Sequence, residues 1–159
     1  MKKITFIIIC FTLQQTLFSQ NNSAIGIRFG GSDGVSGEIS YQNFIGGPNR
    51  IEVDLGFIDA DGFDGFKATL MYHWVKGISD SFYWYIGAGG SVGAWTSDEG
   101  SPVSDNKHED GLFIDANGQI GIEYNFEIPL QISLDARPEI GLINDDFDFG
   151  YGLGVRYTF

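Results

Sequence analysis

The chain has 159 residues, of which 21 are acidic and nine basic, for a formal net charge of −12 at pH 7. So acidic a chain lacks the clustered Lys and Arg that phosphate binding needs, which excludes nucleic acid as a partner. Aromatic residues make up 15% of it and glycine contributes 23 residues, which argues against an acidic disordered chain and for an ordered β protein with many turns.

The N-terminus begins with Lys2-Lys3, runs through an apolar stretch from Ile4 to Leu13, and reaches Leu17-Phe18-Ser19-Gln20. A positive start, a short apolar centre and a small residue at the cut predict a secretory signal peptide, too short to act as a membrane anchor. Cleavage after Ser19 assigns residues 1–19 to the signal and 20–159 to one folded domain. The single cysteine, Cys10, lies in the apolar run and follows Ile9, where a lipoprotein signal wants a small residue. The exported domain is therefore expected to contain no cysteine and no disulfide.

Past residue 20 helical spacing is absent, and no apolar run reaches the ~18 residues of a membrane helix. Period-two alternation takes over. It marks eight stretches: Ala24–Gly30, Gly37–Phe44, Ile51–Ile58, Phe66–Trp74, Phe82–Trp95, Leu112–Phe126, Leu130–Leu142 and Phe147–Phe159. Gly, Asp, Asn, Ser or Pro separates nearly all neighbours, the pattern of an all-β sandwich or barrel. The third stretch sets Ile51, Val53, Leu55 and Phe57 against Glu52, Asp54 and Gly56. The sixth sets Ile114, Ala116, Ile120, Ile122 and Tyr124 against Asp115, Asn117, Gln119 and Glu123. In the seventh, Leu130 to Leu142 carry the even-numbered apolar face, with Gln131, Ser133, Asp135, Arg137 and Glu139 opposite. The eighth sets Phe147, Phe149, Tyr151, Leu153, Val155, Tyr157 and Phe159 against Asp148, Gly150, Gly152, Gly154, Arg156 and Thr158.

A soluble barrel of lipocalin type would turn such apolar faces inward. Two features favour the inverted arrangement. Outward aromatics collect at strand ends, with Tyr41, Tyr72, Trp74, Phe82, Trp84, Tyr124, Tyr157 and Phe159 near one rim. Phe29, Phe57, Phe66, Phe147 and Phe149 fall near the other, as in the two interfacial girdles of a transmembrane barrel. The connections also alternate. Gly46-Gly47-Pro48-Asn49, Lys76–Ser81 and Glu127-Ile128-Pro129 are short, and the longest connection runs from Thr96 to Gly111. Short inner turns and longer outer loops follow if both termini are periplasmic.

The last six residues, Gly154-Val155-Arg156-Tyr157-Thr158-Phe159, resemble the C-terminal recognition signal of bacterial outer-membrane barrels, with a Gly, alternate outward aromatics and a terminal Phe. The exported chain as a whole resembles the small OmpA/OmpX-type eight-stranded barrels. The Ser-Gln ending of the signal and the segment "IPLQISLDARPEIGL" are similar to barrel proteins of Bacteroidetes-type bacteria. This resemblance implies a closed, up-and-down, antiparallel transmembrane β-barrel in the outer membrane. It also implies a monomer embedded among lipid and lipopolysaccharide, recognised by the barrel assembly machinery through Tyr157 and Phe159. It implies a structural or surface-interaction role with no enzymatic activity and no cofactor. The alternatives are a barrel that binds divalent cations or a small ligand, and the soluble lipocalin-like barrel.

Inside such a barrel the alternation puts Arg28, Lys67, Arg137 and Arg156 with Glu38, Glu52, Asp54, Asp115, Glu123, Asp135 and Glu139. Ser40, Gln42, Thr69, Asn117, Gln119 and Ser133 lie between them. Side chains fill an interior of eight strands, so these charges read as a structural plug rather than an ion path. Arg137 and Arg156 are expected to anchor it with Asp135, Glu139 and acids of neighbouring strands. Arg50 and Lys76 fall in the inner turns.

"DADGFDG" from Asp59 to Gly65 hints at calcium. An EF-hand loop wants acids at positions 1, 3 and 5, Gly at 6 and Glu at 12, and here Phe63, Asp64 and Leu70 occupy the last three of those positions. "SDEGSPVSDNKHEDG" gathers Ser101, Ser104, Asp105, His108, Glu109 and Asp110, but a loop rich in Gly, Pro and Ser does not fix a nucleophile against a base. His73 points inward near the periplasmic end. Val75 stands where a lipid A deacylase-like motif would place a Ser, so no catalytic residue is assigned. The outer loops carry Asp33, Asp59, Asp61, Asp64, Asp98, Glu99, Asp105, Glu109, Asp110, Asp145 and Asp146, with Lys107 as their one base. Such a rim could hold divalent cations shared with lipid phosphates. Pro138, inside the seventh strand, removes one ladder hydrogen bond and predicts a bulge or local break beside Arg137.

Overall fold

The computed structural model describes residues 23–31, 35–60, 63–97, 111–143 and 146–159, and the expected signal peptide lies outside them. Eight strands follow one another: β1 Ser23–Gly31, β2 Val35–Gly46, β3 Asn49–Ala60, β4 Phe63–Gly77, β5 Phe82–Ser97, β6 Gly111–Asn125, β7 Leu130–Gly141 and β8 Phe147–Thr158. Each pairs antiparallel with its chain neighbours, and β1 pairs with β8 to close the barrel. Every expected strand is present, and the described residues contain no helix.

Several strands run further outward than alternation alone marked. The β3–β4 ladder continues through Asp59↔Asp64 to Ala60↔Phe63. Backbone pairing there does not depend on the side chains, so the acidic "DADGFDG" segment belongs largely to a hairpin. The connection at 61–62 is consequently no longer than Gly47-Pro48 on the other side. The expected length asymmetry holds for the β5–β6 connection at 98–110, while the β3–β4 connection departs from it.

The two faces are sorted by charge. Gln131, Ser133, Asp135, Arg137 and Glu139 of β7 are buried, while Leu134 and Ile140 stand 55% and 53% exposed. On β8, Arg156 is buried and Leu153, Val155 and Tyr157 are exposed. Buried hydrophobic side chains among the described residues are limited to Ala24, Met71, Val75, Tyr85 and Phe113. This is the reverse of the apolar interior that a lipocalin-type barrel would have. The girdle aromatics Tyr41, Trp74, Tyr124, Tyr157 and Phe159 are exposed at one end, and Phe29, Phe57, Phe66, Phe147 and Phe149 at the other. At the first rim, neighbouring rings pack at 5.0 Å for Tyr72–Trp74 and 4.7 Å for Tyr124–Phe126.

The chain end is tied into the wall. Ser23 N donates to Phe159 O at 3.1 Å, and Phe159 N donates to Ser23 O at 2.9 Å. The apolar terminus is thus the last rung of the β1–β8 ladder. That ladder requires glycine on β1. Gly30 has φ +119°, outside the range side chains favour, and a Cβ there would overlap the Tyr151 carbonyl.

Pro138 produces a local break without a bulge. Pairing of β6 with β7 stops at Asn117↔Glu139 and resumes in the same register at Ile120↔Ala136. On its other side Pro138 stays paired with Phe149.

Candidate functional site

The site is the lumen. Period-two alternation on eight strands sends every second side chain inward, and the buried ones are mostly polar or charged. Arg28, Lys67, Arg137, Arg156, Glu38, Glu52, Asp54, Glu123, Asp135 and Glu139 are all buried there as expected, and so are Ser40, Gln42, Thr69, Asn117, Gln119 and Ser133. Asp115 is half-buried and accepts a hydrogen bond from Ser91 Oγ at 2.9 Å.

Glu52 is the hub. Arg156 Nη2 lies 3.0 Å from one of its oxygens and Arg137 Nη2 lies 3.2 Å from the other. Gln119 Nε2 donates to it at 3.3 Å, and Gln42 Nε2 donates to it as well. Arg156 also reaches Ser40 at 2.9 Å and Ser133 at 2.7 Å, so a single guanidinium on β8 ties β2, β3 and β7 together. Arg137 crosses the barrel to Asp54 at 2.5 Å and Glu38 at 3.5 Å. Arg28 joins Glu38 at 2.9 Å and Asp135 at 2.6 Å, and Lys67 pairs with Glu139 at 2.5 Å.

These pairings correct one expectation. Arg137 does not anchor on Asp135 and Glu139, its same-face neighbours on β7, which take Arg28 and Lys67 instead. The long arginine side chain projects across the lumen to the wall formed by β2 and β3, where Glu38, Glu52 and Asp54 converge.

Arg50 is the second correction. Assigned to an inner turn by its place beside Pro48-Asn49, it is fully buried and pairs with Glu123 at 2.7 Å. Its guanidinium lies 4.9 Å from the Tyr85 ring centroid and within 3.4 Å of His73 Nδ1. The signal was present, since Arg50 shares the parity of Glu52 and Asp54. His73 points inward as expected, with its Nε2 3.0 Å from Gln119 Oε1 and its ring 4.7 Å from that of Tyr85. Lys76, of outward parity, sits 5.8 Å from the Trp84 ring centroid. Met71, Tyr85, Ser91 and Phe113 also point inward, at positions the charged pattern did not mark.

Counting Arg50 brings the buried charges close to balance, with five cations and six carboxylates among the described residues. An isolated charge at such depth costs several kcal/mol, so balance and mutual contact make this interior tolerable. The arrangement joins opposite walls through ion pairs.

Ser101, Ser104, Asp105, Lys107, His108, Glu109 and Asp110 lie outside the described residues, as do Asp33, Asp61, Asp98, Glu99 and Asp145. Asp59 and Asp64 occupy the paired backbone ends of β3 and β4, and the Asp146 carbonyl accepts from Gly141 N at 2.8 Å. Among the described residues no group of three or more His, Cys, Asp or Glu side chains is arranged to hold a metal ion.

No protein-family profile matches the chain, and no curated protein matches its sequence. Solved structures do match its fold. The N-terminal β-barrel domain of Pseudomonas aeruginosa OprF superposes with a TM-score of 0.73 at 18% identity, covering 88% of this chain and 98% of that one. Neisserial surface protein A gives 0.60 at 16% identity, covering 86% and 94%. Ail, the attachment invasion locus protein of Yersinia pestis, gives 0.56 at 16% identity, covering 86% and 96%. The fold is that of these eight-stranded barrels. Their source organisms lend no support to the Bacteroidetes likeness.

Proposed function

We propose that this chain is an integral outer-membrane barrel with a structural or surface-interaction role and a lumen closed by its own side chains. The observation that carries this reading is the inverted burial, with six carboxylates and five cations inside and an apolar, aromatic-rimmed wall outside. A wall of exposed Ile, Leu, Val and Phe needs a hydrocarbon solvent, and a closed barrel is one of two backbone architectures that can span one. The fold shared with the OprF domain, surface protein A and Ail supports the same location.

In that setting the girdles mark the two interfaces and the β1–β8 end lies in the periplasm. The 98–110 connection then faces outward, toward lipopolysaccharide or surface partners. Tyr157 and Phe159 serve as the handle for the barrel assembly machinery. The ion pairs that cross from β7 and β8 to β2 and β3 favour a plug over a pore, because an eight-stranded interior is just wide enough for side chains to fill. Among the described residues the lumen charges are engaged in ion pairs with one another, which favours a structural role.

Gel migration that shifts on boiling, in the outer-membrane fraction and after refolding into detergent, is the expected behaviour, together with no stable conductance in planar bilayers. A chain that stays monomeric in buffer without detergent refutes the membrane reading. A reproducible unitary conductance refutes the plug.

A further inference from the structure

At the periplasmic mouth the lumen widens into a cavity of about 120 Å³, lined by Ser23, Ala24, Gln42, Phe44, Asn125, Phe126, Gln131 and Thr158. Three of these residues, Gln42, Asn125 and Gln131, each carry a buried side-chain carbonyl oxygen without a hydrogen-bond partner. Gln42 and Gln131 are 1% and 3% exposed. The Gln42 amide nitrogen is committed to Glu52, so its oxygen is the end left over. Asn125 and Gln131 are direct cross-strand partners, so two of the three residues sit opposite one another on the same face.

A buried carbonyl without a donor is a cost that folded proteins seldom leave standing, and here three occur around one space. The space exceeds the share of liquid volume of a single water, about 30 Å³. Glu52, the cross-strand partner of Gln42, and Glu123, two residues before Asn125, each have an arginine and do not line the cavity, so the unpartnered oxygens there are neutral amides. Divalent cations are held by carboxylates as a rule, whereas monovalent ions exchange their hydration for neutral carbonyl oxygens. An ammonium group offers the same charge with its own donors.

We propose that this mouth binds one compact monovalent cation, potassium or an ammonium group, through the carbonyl oxygens of Gln42, Asn125 and Gln131. The ion supplies the missing partners and holds β2, β6 and β7 together at the end of the barrel that carries the chain termini.

The test uses the full exported chain refolded in detergent, with urea unfolding followed at constant ionic strength while choline is replaced by potassium, ammonium or methylammonium. A saturable rise of the midpoint with potassium or ammonium is expected. Gln131→Leu should raise the half-saturating concentration about tenfold, and Gln131→Glu, which adds a charge to the same site, should lower it about tenfold. Stabilisation by potassium identifies the free ion as the occupant, and stabilisation by ammonium and methylammonium alone identifies an amine head group. Equal midpoints in all salts, which is the behaviour of a cavity holding water only, overturn the proposal. So does a saturable rise that neither variant alters. Should the variants fail to fold, magnetic resonance of isotopically labelled ammonium with the wild-type barrel decides. A bound resonance distinct from bulk supports the site, and bulk signal alone, with equal midpoints in potassium and choline, refutes it.

Discussion

Replacing Arg137 with Ala removes the cation that faces Asp54, Glu52 and Glu38, and the structure apportions the damage. Glu52 keeps Arg156 at 3.0 Å, and Glu38 keeps Arg28 at 2.9 Å. Among the ion pairs described, Asp54 loses its only one, at 2.5 Å, and it is fully buried. Stranding one partner of a buried pair costs about 3–5 kcal/mol. With a urea slope of ~2 kcal/mol per molar, the unfolding midpoint should fall by about 1.5–2.5 M. Refolded barrel in detergent, followed by tryptophan fluorescence and by gel mobility without boiling, provides the assay. A double-mutant cycle with Asp54→Ala isolates the pair, and a coupling of at least ~1 kcal/mol is expected because removing both partners no longer leaves a lone charge. A midpoint that moves by less than about 0.3 M, or single losses that simply add, would refute the reasoning and mean that water solvates the lumen.

Three other outcomes can be checked. Leu134→Arg, at an exposed position in the middle of β7, should cost about 2–4 kcal/mol in lipid vesicles, whereas the same change on a water-facing wall would stay within about 0.5 kcal/mol. Gly152→Val puts a Cβ into the Arg28 guanidinium, so Arg28 must leave Glu38 and Asp135; a loss of about 1–3 kcal/mol is expected, with Gly37→Ala, whose Cβ meets nothing within 4 Å, as the neutral control. Deleting Phe159 removes both backbone bonds to Ser23 together with an interfacial ring, and Tyr157→Asp charges its neighbour. Interfacial terms are only ~0–1 kcal/mol, so both changes should lower the amount assembled in the membrane far more than the stability of what does assemble, as membrane-fraction immunoblots against urea midpoints would reveal.

How much of this was legible follows from what alternation encodes. Parity sorts side chains to one face or the other, and on that ground the inward residues from Arg28 to Arg156 were readable. Arg50 was missed because Pro48 and Asn49 advertised a turn, although its parity matched Glu52. The partners were not readable. Parity says that Arg137 points inward, but the choice of Asp54 over Asp135 depends on strand tilt, lumen width and the reach of a guanidinium, none of which has a period. The outer strand ends were misjudged for a different reason. Backbone pairing through Asp59↔Asp64 proceeds whatever the side chains are, so a polar segment read as a loop is mostly ladder. The carbonyl oxygens at the mouth beside the chain termini belong to Gln and Asn, residues that carry no charge to attract notice in a sequence.

The rung between Ser23 and Phe159 bears on how the molecule comes into being. It joins the first and last described residues, so it is among the longest-range contacts the chain can make and has no local precursor. Until the β1–β8 ladder forms, both strands are sheet edges with unsatisfied donors and acceptors, open to any strand that comes near. The rung ends a ladder whose other pairs, from Ala24↔Thr158 to Gly31↔Tyr151, close the wall beside it. Closure abolishes both edges in the same step.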